Sequence, residues 1–436
     1  MEETTNNPSM SEIFEKYKEE AENGDAEAQC HLGCLLFFGD FINQDYNEAV
    51  KWFQKAAAQG HIGSISMLGA CYEDGHGVNQ DYNEAVKCYQ TAAEQGDVDA
   101  QYNLANCYNF GRGVSQDYAK AVEWYQKAAE QWEEYAMFCL GECYFLGNGV
   151  EQDYKEALKW YRKAARWRHE GAMCNIGYCY KHGYGVRKDH KRAMKWYRKA
   201  AERGEAIAQC NLGKCYRFGQ GVSQDYKEAA KWYLKSAKQG YAEAQNHLGV
   251  CYEFSDGVTQ DYKEAAKWYR KAAKQGHATA QNNLGDCYYF GNGVKQDYKK
   301  AAQWFRKAAE LGHIEAQYNL GHCYYHGKGI RQDFNKSAKW LLKAAEQGFV
   351  DAQHDLGVCY ENGDGVSQDY KEAVKWYQKA AKQGHIGAQY SLGCYYKYGW
   401  GIRRNQKKSI DWLQRAAAQG HSGAIEEMED FQVKSN

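Results

Sequence analysis

One proline, Pro8, stands in 436 residues, so everything beyond it is free of the residue that most reliably breaks a helix. No apolar run reaches the roughly 20 residues that a membrane-crossing helix needs. Met1 to Met10 is acidic and polar where a secretion signal is apolar. The expectation is a cytoplasmic chain with no membrane partner. A charge excess is missing as well: 55 Lys and Arg face 56 Asp and Glu, for a net charge of −1. A long phosphate track needs a basic face, so nucleic acid is not an expected ligand. No paired Cys/His spacing recurs that would hold zinc, and no Ser-His-Asp or Cys-His grouping stands out. A metal, a cofactor and an enzymatic activity are therefore not expected.

What the chain has instead is repetition. Laid against itself, it matches every 36 residues without an insertion. The anchor Gly33 recurs as Gly69, Ala105, Gly141, Gly177, Gly213, Gly249, Gly285, Gly321, Gly357 and Gly393, which makes eleven copies. A period between 20 and 50 residues marks an array whose units stack on their neighbours. Most of the 37 tyrosines and 13 tryptophans fall at fixed repeat positions and read as packing. Charge is spread unevenly: residues 1–150 hold 8 Lys and Arg against 25 Asp and Glu, whereas residues 155–217 hold 17 against 5. Such asymmetry concerns partners rather than fold.

Within a repeat, Asp225 suits a helix N-cap and Glu228 completes a capping box. Tyr226, Ala229, Ala230, Trp232, Tyr233 and Ala237 then fall at helical spacing, with lysines on the other face. Gly240 supplies the left-handed residue that ends this B helix. The A helix follows, from Ala242 to about Phe254, with Gly249 inside it. Glycine there costs roughly 1 kcal/mol against alanine, so its recurrence predicts a close approach by a neighbouring Trp or Tyr ring. The fold class is all-α: a solenoid of eleven 36-residue helix-turn-helix repeats over 25–420. Residues 1–9 are expected to be disordered, 10–24 to form an N-terminal capping helix, and 421–436 a C-terminal capping helix and tail.

The pattern Ala-x-Ala-Gln-x-x-Leu-Gly-x-x-Tyr-x-x-Gly-x-Gly-Val-x-x-Asp-x-x-x-Ala-x-x-Trp-Tyr-x-Lys-Ala-Ala-x-Gln-Gly, clean in Ala278 to Gly312 and Ala352 to Gly384, resembles the Sel-one-like repeat family. This is a branch of the tetratricopeptide-type superfamily. The resemblance implies a superhelix of antiparallel helix pairs, a concave groove, and the role of an adaptor that assembles other proteins. Trp132 and Arg168 depart from the pattern at two B-helix ends, Cys88 replaces a tryptophan and Ser255 a loop glycine. The junctions around 132 and 168 are expected to bend differently.

Sixteen cysteines invite a disulfide framework. Nine of them occupy one A-helix position, once per repeat, and two helix layers set successive copies roughly 20 Å apart. A disulfide needs Cα atoms within about 7 Å, so these nine should not pair with each other. A cysteine-rich branch of the family joins helix A to helix B, but here Ala56 and Ala57 stand at the B-helix position. Free, buried thiols are expected. His61, His277, His313, His385 and His421 share one turn and read as polar turn residues. The Gly-x-Gly loops follow helices rather than strands and so are not phosphate cradles.

Three A-helix positions vary along the array, spaced i, i+4, i+7 on one face. They contain Tyr102, Phe138 and Tyr318 at the first, Glu142, Tyr178, Lys214 and His322 at the second, and Phe145, Lys181, Arg217, Tyr289 and Tyr325 at the third. A solvated face that drifts freely is one reading. Its wealth of aromatics favours the other, a groove lining, because aromatics and arginine anchor interfaces. The expected partner is a peptide or protein surface bound to a monomeric, non-catalytic scaffold. Lys181, Lys214 and Arg217 suggest an acidic or phosphorylated segment. Two alternatives stay open: a nucleic-acid-binding helical array, and a hydrolase like the cysteine-rich relatives.

Overall fold

The computed structural model describes residues 10–39 and 42–433. Among them the chain forms 24 α-helices and no strand. The capping helices are α1 (Met10–Glu22) and α24 (Ser422–Val433), and between them run eleven pairs in the expected A-then-B order. Residues 1–9 and 434–436, expected as a disordered start and the end of the tail, lie outside the described residues. The chain is an all-helical solenoid. It divides into two compact units, 1–208 with 220–223, and 209–219 with 224–436. The repeat type does not change from one to the other, so composition marks no boundary.

The second unit illustrates how each helix is delimited. Asp261 accepts hydrogen bonds from the backbone N–H groups of Lys263 and Glu264 at 2.8 and 3.1 Å, and α15 (Tyr262–Lys274) starts there. Gly276, at φ +86°, turns the chain into α16 (Ala278–Phe290). That helix is capped by a histidine: Nδ1 of His277 accepts from the backbone N–H of Ala280 at 3.1 Å. His61, His169, His313, His385 and His421 do the same at 3.0 to 3.3 Å. The turn histidines are therefore helix caps, a role usually taken by Asp or Ser.

Packing follows from small residues. Ala265, Ala266, Ala272 and Ala273 of α15 are buried with Tyr269 against Ala280, Leu284 and Cys287 of α16. Gly285 faces a ring from α17 (Tyr298–Glu310): a Cβ built there would stand 2.5 Å from Cε1 of Phe305. Gly69, Gly249 and Gly357 meet Tyr89, Tyr269 and Tyr377 in the same way. The expected close approach exists, and its partner is the residue after the tryptophan position.

A glutamine ladder ties repeats together. Nε2 of the buried Gln245 donates to the carbonyl of Ala237 at 3.2 Å, while its Oε1 accepts from Nε2 of Gln275 at 2.9 Å. The same pair of bonds recurs at Gln353 and Gln389. Buried amides are stable only when both ends are bonded, and this arrangement bonds them across three helices.

All sixteen cysteines are free, and twelve are buried. At the junctions expected to bend differently, the turn itself keeps the glycine backbone. Trp132 and Arg168 adopt φ of +72° and +71°, the glycine conformation. The turn bonds of the first, Trp132 N–H to Ala129 and Glu133 N–H to Ala128, both at 3.2 Å, match the 3.1 and 3.2 Å of the Gly276 turn. Neighbouring repeats impose the turn, and the side chain yields.

Candidate functional site

The variable A-helix stripe is neither a free surface nor core; most of it is half-buried, because many of its members also touch a neighbouring repeat. In the first unit, α6 (Val98–Phe110) carries Tyr102, whose ring lies 6.1 Å from Tyr125 and 6.2 Å from Tyr135. On α8 (Glu134–Leu146), Phe138 stacks on His169 at 4.5 Å. Glu142 accepts from the Tyr161 hydroxyl and, at 2.6 Å, from Asn175 Nδ2. Burial pushes its carboxyl above the usual range, against those two hydrogen bonds. Phe145 meets Tyr154, Tyr184 and Tyr178 edge-on at 5.1, 5.6 and 6.1 Å. On α10 (Glu170–His182), Tyr178 is exposed and Lys181 half-buried.

Two members of the expected basic patch, Lys214 and Arg217 of the second unit, are not free charges. Lys214 is paired with Glu243 of α14 (Ala242–Phe254), and Arg217 Nη2 lies 3.0 Å from Asp256 Oδ2. Hydrogen bonds from His247 and then from Lys214 hold the Glu243 carboxyl well below the usual carboxylate range. An acidic ligand there would have to displace two carboxylates already in place. Sequence reasoning missed them because they sit 29 and 39 residues away.

Four other stripe residues do converge. Tyr289 of α16, with Tyr318 and His322 of α18 (Ile314–His326), lines a cavity of about 300 Å³ together with Asp286, Phe290, Phe305 and Asn319. A second cavity of about 160 Å³ adjoins it, lined by His322, Tyr325, His326, Leu341, Asp355, Val358 and Cys359. Leu341 comes from α19 (Phe334–Glu346), and Asp355, Val358 and Cys359 from α20 (Val350–Asn362). His322 is the wall between the two.

The electrostatics of these cavities are acidic. Burial raises the Asp286 carboxyl to about 7, reinforced by Glu315 and Glu253. Its Oδ2 accepts from Asn282 Nδ2 at 3.1 Å, and Asn282 Oδ1 in turn accepts from Asn319 at 3.1 Å. Burial, and then His326, lower His322 and keep its ring neutral. The Tyr325 hydroxyl donates to Asp364 at 2.9 Å. Asp286 holds the second stripe position, one repeat before His322, yet neither it nor Asp355 was singled out, since single acids on a variable face carry no distinguishing spacing.

A row of exposed apolar side chains was also missed. Phe38, Phe110 and Leu146 in the first unit, and Phe218, Phe254 and Phe290 in the second, close their A helices and are 57 to 64% exposed. The sequence marked Phe254 only as the approximate end of its A helix. As the last residues of their helices, however, they lie past the layer that buries the preceding turn. Phe290 joins this row to the larger cavity.

Larger crevices exist, but they belong to the repeat. One of about 1,200 Å³ runs along 330–336 and 363–367, and one of about 800 Å³ along 224–227 and 255–259. Each is the gap between a B-helix start and the following loop. Among the described residues no group of three or more His, Cys, Asp and Glu could hold a metal ion, and no helix is long and apolar enough to cross a membrane.

The comparisons with known proteins agree with this architecture. The Sel1 repeat model matches eleven successive segments, from 26–61 to 386–421. A protective antigen present in uropathogenic Escherichia coli strains and displaying an SLR fold is 37% identical, over 97% of this chain and 91% of its own, with a TM-score of 0.78. A Sel1 repeat protein from Oxalobacter formigenes is 32% identical over 71% of this chain and 90% of its own, with a TM-score of 0.54. No curated protein matches the chain. Eleven matched segments that coincide with eleven helix pairs leave one conclusion: the chain belongs to the Sel1 repeat family.

Proposed function

We propose that the chain is a non-catalytic scaffold that binds an extended peptide or a protein surface along the A-helix face, with the adjoining cavities around His322 as its specificity site. Sel1 repeat proteins generally act as protein-interaction scaffolds. The observation that carries the site is the convergence of Tyr289, Tyr318, His322 and Tyr325 on two cavities that share a wall. Cavities of about 300 and 160 Å³ each have room for a side chain, which suits a ligand read residue by residue. The exposed Phe218, Phe254 and Phe290 supply apolar area beside them. Repetition of such contacts along one ligand lets weak ones add. A monomer in the cytoplasm is the setting of this reading, where a reducing environment keeps the free thiols reduced.

The test is affinity capture with the full chain and with a Tyr289→Ala, Tyr318→Ala, His322→Ala variant, checked for helicity and melting temperature. A partner recovered by the parent chain is expected to be lost from a variant that still folds. Equal recovery by both would place the binding surface elsewhere.

A further inference from the structure

We propose that the larger cavity receives a cationic side chain, an arginine guanidinium or a lysine ammonium, carried by the bound partner. This rests on the peptide-binding reading above and sharpens it, because it assigns the ligand a charge opposite to the one its basic residues first suggested.

Three observations converge on it. First, Asp286 lines a cavity whose other walls are largely aromatic: Tyr289, Phe290, Phe305 and Tyr318. A carboxylate among ring faces is the arrangement that holds a desolvated cation, by charge and by the ring quadrupoles together. Second, the charged groups that act on Asp286, Glu315 of α18 and Glu253 of α14, are both acidic. The potential at Asp286 is therefore negative, which favours a cationic group there. Third, the chain already brings an ammonium to the hydroxyl edge of one of these rings. Nζ of Lys328 lies 5.1 Å from the Tyr289 ring centre and 5.5 Å from that of Tyr298, and donates to the Tyr289 hydroxyl at 3.0 Å. Tyr289 thus accepts a cation at its hydroxyl and is also a wall of the cavity.

Asp286 also behaves as a residue kept for something other than stability. Burying it raises its carboxyl from 3.8 to about 7, so the folded state is penalised wherever the unfolded chain would ionise. Groups that cost stability and line a cavity are characteristic of binding sites.

The pH dependence follows from the groups around Asp286. They are Asn282 on its own helix, Glu253 from α14, Phe305 from α17, and Glu315, Tyr318, Asn319 and His322 from α18, with Lys328 on the rim. His322 is lowered from its ordinary 6.5 and stays neutral above that value, so it does not compete. Ionisation of Asp286 through pH 7 is then the main change, and cation affinity should rise about tenfold between pH 6 and pH 8.

The experiment titrates the full chain with N-acetyl-arginine amide and, as its neutral isostere, N-acetyl-citrulline amide, following tyrosine ring signals by NMR. Saturable binding of the arginine probe, about tenfold tighter than that of citrulline, is expected at pH 8. Asp286→Asn should abolish the preference while raising the melting temperature, which separates a lost site from a lost fold. Lys328→Gln should strengthen arginine binding by removing a like charge. Equal binding of the two probes, a preference that survives Asp286→Asn, or no saturable arginine binding would each overturn the cation assignment. A partner still captured through Tyr289, Tyr318 and His322 in that event would leave the scaffold reading standing.

Discussion

Gln281 Oε1 is buried without a hydrogen-bond partner in the chain, and the residue that should supply one is Leu311. In the neighbouring repeats Gln275 and Gln347 occupy this place and donate to Gln245 and Gln317 at 2.9 and 2.8 Å. Within the second unit, this rung of the ladder is missing. Leu311 is also 59% exposed, so its apolar side chain gains little from burial. Leu311→Gln is expected to stabilise the chain by about 1 kcal/mol, read as a higher urea midpoint at unchanged slope. A lower midpoint would contradict the ladder's role.

The A-helix glycines differ in how tightly they are covered. A Cβ on Gly285 would meet the Phe305 ring at 2.5 Å, whereas on Gly321 it would meet Leu341 at 3.0 Å. Alanine gains about 1 kcal/mol in a helix, and overpacking costs about 1–3 kcal/mol. Gly285→Ala should therefore destabilise, and Gly321→Ala should come close to neutral because a leucine shifts more easily than a packed ring. Chemical denaturation of the two variants side by side checks the order.

Trp132 and Arg168 hold left-handed backbone at +72° and +71°. Such a conformation costs a non-glycine residue about 1–2 kcal/mol, while glycine adds some unfolded-state entropy. Trp132→Gly and Arg168→Gly should each stabilise by about 1 kcal/mol. Additivity in the double variant, measured by thermal melting, would show that the two turns are strained independently.

Histidine caps make the stability pH-dependent. His169, His277, His313 and His385 are all lowered from 6.5, in each case first by burial. The unfolded chain then binds protons before the folded one does. Stability is fully present above pH 6.5 and falls as pH drops below it. The cap itself opposes protonation, since Nδ1 must accept the helix N–H. Urea midpoints between pH 7.5 and 5.5 should decline, and His313→Asn, which keeps a cap without a titrating ring, should flatten that decline.

Thiol reactivity should be selective. The hydrogen bond from Cys34 lowers the Cys30 thiol below its ordinary 9.0, with help from Ser64, His61 and His31 against the opposing effect of burial. Burial instead pushes Cys107, Cys251, Cys323 and Cys359 up to about 12. Thiolates react and thiols do not. Iodoacetamide at pH 7, followed by peptide mapping, should therefore label Cys30 first. Simultaneous labelling of the buried set would show that the repeats open globally.

The amino-acid sequence by itself determined most of what lies inside one repeat. Helix bounds, the Asp caps, the ends of the B helices and the glycine under a ring depend on contacts within about 20 residues, and a 36-residue period displays them eleven times. It also marked the stripe that carries Tyr289, Tyr318, His322 and Tyr325. What those side chains do was decided between repeats. Phe138 meets His169, Arg217 meets Asp256, Tyr325 meets Asp364, and Gln281 lacks its partner, all at separations of 30 to 39 residues. Such pairs depend on how far each side chain reaches across the packed layers, and helical periodicity is blind to that reach. The same packing paired Lys214 with Glu243 and Arg217 with Asp256, and gave Asp286 its cavity.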